Sequence, residues 1–159
     1  MSLEATIKPL ALLARVLDSL QSVFALGARW YVSWQFLKSG WLKVSDWQGT
    51  LDLFRTEYHV PLLPPTLAAV TGAFGELFFS ALLVLGIAGR IGPLGLFAVN
   101  LMAVISYRQV LLAEGFEAAL GQHVLWGFML AMLTVYGLGT ITVDRLVTRR
   151  FVSHALVTH

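Results

Sequence analysis

Residues 61–89 read PLLPPTLAAVTGAFGELFFSALLVLGIAG, 29 positions carrying a single charge, Glu76. About 20 apolar residues in a helix cross a bilayer core of about 30 Å. The run is too long for a strand and lacks the two-residue alternation of a membrane β-barrel. Pro61, Pro64 and Pro65 stand at its start, where a missing N–H has no helical partner to lose. The stretch predicts a membrane-spanning helix.

Three further stretches follow the same pattern. Ser19 to Leu37 holds one charge, Arg29; Ile91 to Tyr107 holds none; Ala118 to Val143 holds none but includes His123. The spacing predicts an all-α, integral membrane four-helix bundle in a single domain over 1–159, with spans at about 19–38, 62–89, 91–108 and 118–143. Gly89, Arg90 and Gly92-Pro93 leave room for only a tight turn, so spans two and three form an antiparallel hairpin.

Composition supports this class. Hydrophobic residues make up 57% of the chain and charged residues 13%, about half the charge of a soluble domain, and the mean hydropathy is +0.75. Disorder, which needs low hydrophobicity and high charge, is excluded. The absence of cysteine excludes disulfides, thiolate metal sites and thiol relays. A formal charge of +2 is too small to argue for nucleic acid.

Leu3, Ile7, Leu10, Leu13, Leu17 and Leu20 recur at helical spacing, and Arg15 and Asp18 interrupt any signal-peptide core. Residues 1–18 are therefore expected to be an amphipathic helix on the membrane surface. In the loop after span one, Trp41, Trp47, Leu51, Phe54 and Tyr58 resemble a short interfacial helix. Four spans put both termini on one side, with a tail over 144–159. Lys8, Arg15, Arg90, Arg145, Arg149 and Arg150 lie on that side, against Lys38, Lys43, Arg55 and Arg108 on the other. The six-to-four bias predicts cytoplasmic termini.

A charge near the bilayer centre costs about 2.5–3.5 kcal/mol even on lenient scales. Arg29, Glu76 and Asn100 each fall midway along their spans. They are expected to meet as one polar layer, Arg29 against Glu76, serving either assembly alone or function as well. Toward the outer end, Gln35, Lys38, Tyr107 and His123, with Trp30, Trp34, Trp41 and Trp126 near them in sequence, suggest a head-group pocket between spans one and four. Quinone carbonyls need hydrogen-bond donors and the ring needs flat apolar walls. For each of these residues an interfacial or packing role is the alternative. Met102, Met129 and Met132 with His123 suggest a second option, a soft Cu(I) site. No other metal site and no catalytic residue is predicted, because the sequence holds no HExxH, no phosphate loop and no hydrolase arrangement.

The ordered landmarks Arg29, Ser39-Gly40-Trp41-Leu42-Lys43, Gly75-Glu76-Leu77, Leu82-Leu83-Val84-Leu85-Gly86 and Arg90 resemble the DoxX family of small four-helix membrane proteins. The resemblance covers about residues 22 to 107. It implies importance, without a role, for Arg29, Lys43, Glu76 and Arg90, with Gly40 a further landmark. It also implies the cytoplasmic (inner) membrane of a bacterium, and a link to thiosulfate:quinone oxidoreductase, quinol oxidase or detoxification systems. The chain encodes no redox group, so electron transfer would need a bound quinone or a cofactor on a protein partner. The alternative is a membrane accessory that binds or moves a small molecule or copper.

Overall fold

The structure, a computed structural model, describes the backbone of residues 3–148 and the side chains of residues 9–148. Residues 149–159 of the expected tail, and the side chains of Leu3, Ile7 and Lys8, lie outside the described residues.

Helix α1 runs without interruption over Leu3–Ser45, 43 residues, or about 64 Å at 1.5 Å per residue. This is about twice the bilayer core, and it merges the expected surface helix with span one. No proline falls between Pro9 and Pro61, so nothing in the sequence forces a break at Arg15 or Asp18. Residues 9–20 are all exposed, and those before Asp18 extend past the bundle. Ser22 makes the first link to it, its Oγ accepting the Thr140 N–H at 3.0 Å and the Thr140 hydroxyl at 2.9 Å.

Helix α2, Trp47–Thr56, is the expected interfacial helix. Asp46 caps it by accepting the Gly49 N–H at 3.0 Å. Its apolar face sets Phe54 against the small side chains of Ala68 and Ala69, at the start of α3, Pro65–Leu85. Helix α3 stops at Gly86, whose φ of 68° suits glycine, and the N–H groups of Gly86 and Ile87 close back on Leu82 O.

Helix α4, Ile91–Ser106, has 16 residues, about 24 Å. After Tyr107 the short α5, Arg108–Leu111, adds one more turn. Gly92 lets α4 approach α3 closely, since a Cβ there would lie 3.0 Å from Leu83 N. Helix α6, Glu117–Tyr136, ends seven residues before the expected limit of span four. Gly137 (φ 93°) and Gly139 (φ 79°) turn the chain. The apolar Leu138 and Ile141 belong to the loop that follows, with Leu138 folded into the core.

Val32, Phe36, Leu83, Leu96, Leu130, Leu133 and Leu138 form that core. The outside is equally apolar: Phe74, Phe128 and Tyr136 are 61%, 63% and 77% exposed. Arg29, Glu76, Asn100, Ser33 and Ser80 are buried. Polar groups inside and large apolar groups outside are the reverse of a soluble domain's pattern. Helices α1, α3 and α6 are long and apolar enough to cross a membrane, with the shorter apolar α4 packed among them.

Candidate functional site

The polar residues fall into three separate groups. Arg29 is 1% exposed and does not meet Glu76, contrary to the expected pair. Its guanidinium donates to Leu83 O at 2.8 Å, Val84 O at 2.6 Å, Ile141 O at 2.7 Å and Leu138 O at 3.3 Å. The last carbonyls of a helix lack intrahelical donors and carry its negative dipole end. Arg29 therefore satisfies the end of α3 and the loop after α6 together. Gly86 is required here for space as well as for φ, since a Cβ would lie 2.6 Å from Arg29 Nη2.

Glu76 pairs with Lys43. Lys43 Nζ lies 2.9 Å from both Glu76 oxygens and donates to Ser39 Oγ at 2.7 Å. Lys43 belongs to the last turn of α1 rather than to a loop. Gly40, one turn earlier, brings the helices close enough, since a Cβ would lie 2.9 Å from Leu77 Cγ and 3.1 Å from Glu76 Cβ. Asn100 joins neither cation. Its Nδ2 donates to His123 O at 3.0 Å, so its Oδ1 accepts from His123 Nδ1 at 2.9 Å. The His123 ring meets Trp126 edge-on, 5.0 Å between centroids.

A cavity of about 310 Å³ opens between α3 and α4. Lys43 and Glu76 line it, together with Tyr58, Ser106, Phe79 and Val99. The Ser106 hydroxyl is buried and has no hydrogen-bond partner among the described residues. Tyr58 is sandwiched between Phe54 (4.6 Å) and Tyr107 (4.7 Å) in parallel stacks. Its phenol is pushed up to about 12, first by burial and then by the charge of Glu76, so it remains a donor at neutral pH. Four hydrogen bonds fasten the segment after α2 over this end, one of them from Gln109 Nε2 to His59 Nδ1 at 2.9 Å. Tyr107 Oη donates to Glu57 Oε2 at 2.8 Å, Gln109 Nε2 to Glu57 O at 2.8 Å, and His59 N to Ser106 O at 2.9 Å. The Glu57 bond also raises the Tyr107 pKa, ahead of burial.

This cavity is not the expected outer pocket between spans one and four. Lys38 is exposed and Gln35 half-buried; Tyr107 is held at Glu57 and His123 at Asn100; none of the four lines the cavity. Met102 lines it, whereas Met129 and Met132 line a different groove, so the three thioethers are not gathered around His123. Arg90, at the start of α4, is exposed and lines that groove too. Sequence reasoning missed Tyr58 and Ser106 as site residues. Their only signal was a set of small residues, Ala68, Gly72, Gly95 and Ala98, which leave the space open.

The DoxX family model matches residues 24–109. The chain belongs to the DoxX family. The DoxX match takes in Arg29, Gly40, Lys43, Glu76, Arg90 and Asn100, together with every residue lining the cavity. It leaves out the extension of α1 and all of α6. No curated protein and no solved structure matches the chain.

Proposed function

We propose that this multi-pass DoxX protein is the membrane subunit of a redox or detoxification system and binds a quinone-type ring between α3 and α4. The observation that carries this reading is the chemistry of the cavity: apolar walls end on the Lys43–Glu76 pair, an unpartnered Ser106 hydroxyl and the Tyr58 phenol. Its volume of about 310 Å³ is at the small end for ligand sites, enough for one head group. Ala98 and Met102, exposed on α4, line its lipid side, so a membrane-dissolved ligand enters sideways. Lys43, Ser106 and Tyr58 supply donors for ring oxygens. Glu76 supplies a carboxylate that exchanges protons with a reduced ring. The chain binds and orients the ring, and a partner's cofactor exchanges its electrons. The basic-residue count favours cytoplasmic termini in a bacterial inner membrane.

Quinone-analogue titration of the detergent-purified protein tests the site. Ala98→Phe, which narrows the lipid-side opening without touching the polar end, is expected to weaken binding at least tenfold. Unchanged affinity in that variant removes the cavity as the site.

A further inference from the structure

A second, larger cavity of about 860 Å³ lies between α1 and α6, at the end of the bundle where α3 turns into α4. It has two chemistries in one space. Its rim carries the guanidinium groups of Arg90 and Arg145 and the carboxylates of Asp18 and Asp144. Below the rim, Ala28, Phe128, Met132 and Leu133 line an apolar channel along the two helices. Among the described residues neither arginine takes part in an ion pair. Each acid makes one hydrogen bond, Asp144 Oδ2 accepting the Gly89 N–H at 3.0 Å and Asp18 Oδ1 accepting Gln21 Nε2 at 3.1 Å. The other oxygen of each has no hydrogen-bond partner among the described residues.

We infer that this groove holds one glycerophospholipid with a zwitterionic, primary-ammonium head group, the chemistry of phosphatidylethanolamine. The rim is charge-balanced, two cations and two anions, so it complements a zwitterion better than an anionic lipid. Arg90 and Arg145 face the phosphate, guanidinium forks being suited to its oxygens. Asp18 and Asp144 accept from the ammonium, which donates N–H bonds that a choline head group lacks. The rim stands level with the ends of α3 and α6, and the apolar channel runs from there into the bundle, so head group and acyl chain meet matching surfaces. The site is independent of the quinone cavity, with which it shares no lining residue.

Native mass spectrometry of the full chain in mild detergent tests it, with phosphatidylethanolamine, phosphatidylglycerol and phosphatidylcholine of the same acyl chains in equal amounts. Retention of phosphatidylethanolamine is expected to exceed that of each other lipid at least fivefold. The double variant Arg90→Gln/Arg145→Gln is expected to abolish the preference. Asp18→Asn/Asp144→Asn is expected to shift it to phosphatidylglycerol. Met132→Trp, which fills the channel and leaves the rim intact, is expected to lower retention of all three and keeps the test decisive should a rim variant fail to fold. Soluble glycerophosphoethanolamine, lacking acyl chains, is expected not to be retained. Equal retention of the three lipids, preference for phosphatidylglycerol in the unmodified protein, or retention of the soluble head group each overturns the proposal.

Discussion

Arg29 and Lys43 are two cations brought inside the same bundle by the same helix, and the protein treats them in opposite ways. Arg29 spends its guanidinium on four backbone carbonyls and meets no carboxylate among the described residues. Lys43 meets a carboxylate, and the pair borders an open cavity. A buried cation with four of its five N–H groups on main chain has little left to offer a ligand, so it holds elements together. An ion pair at the edge of a cavity can trade one partner for a guest. The family landmarks thus divide into one end bound to main chain and another that borders a cavity.

Removing Arg29 should break this picture most severely. Arg29→Leu removes the side-chain donor from Val84 O, Leu138 O and Ile141 O and leaves Leu83 O only the Gly86 N–H at 3.3 Å; at about 1–3 kcal/mol for each unpaired group, a loss of more than about 4 kcal/mol is expected. The readout is the monodisperse fraction in detergent and its melting temperature. Adding Glu76→Leu should give no rescue; a rescue would mean that the two side chains are coupled after all.

Lys43 and Glu76 should behave differently. Lys43→Met or Glu76→Met alone leaves a buried charge uncompensated, which costs about 3–5 kcal/mol. The double change should recover most of that stability while abolishing binding of a quinone analogue. A double-mutant cycle with no coupling would dissolve the contrast between the two ends.

A smaller effect is expected at Gly40. Gly40→Ala places a Cβ 2.9 Å from Leu77 Cγ, an overpacking worth about 1–3 kcal/mol. Because the clash separates α1 from α3 beside the ion pair, analogue affinity should fall along with the melting temperature. Unchanged affinity would detach the helix contact from the site.

The smallest effect is in alkali. The Tyr58 phenol is raised in the folded protein from 10.0 to about 12. A pKa raised by folding means stability that is fully present below about pH 10 and lost as pH climbs toward 12. The melting temperature should begin to fall above pH 10, and Tyr58→Phe should flatten that part of the profile.

Charge spacing in the sequence was enough to announce a bundle of apolar helices, and the residues flagged as out of place in a membrane, Arg29, Glu76 and Asn100, are all buried. Their partners were not legible. Centring each apolar run misplaces depth, because α1 continues to Ser45 and its side-chain hydrogen bonds to the rest of the bundle start at Ser22. Arg29 therefore lies toward one end, beside the last carbonyls of α3. Main-chain acceptors carry no sequence signature, whereas Glu76 sits at the matching depth of the next apolar run. Lys43 reads as a loop residue in the sequence because Ser39, Gly40 and the polar residues after it look like the end of a span. The apolar character of Leu138 and Ile141 hid the turn that Gly137 and Gly139 impose. The cavity is a place where side chains are small, and missing volume shows only once two helices have been set face to face.

Arg29 and Lys43 are 14 residues apart on one unbroken helix, about 21 Å along its axis. At 3.6 residues per turn they point within about 40° of each other. The rod is thus keyed into the bundle at two heights and in one direction. A slide along its axis, or a roll about it, would withdraw both keys at once. Helix α1 is thus a wall locked at two heights, and α2, α3 and α4 supply the other sides of the cavity.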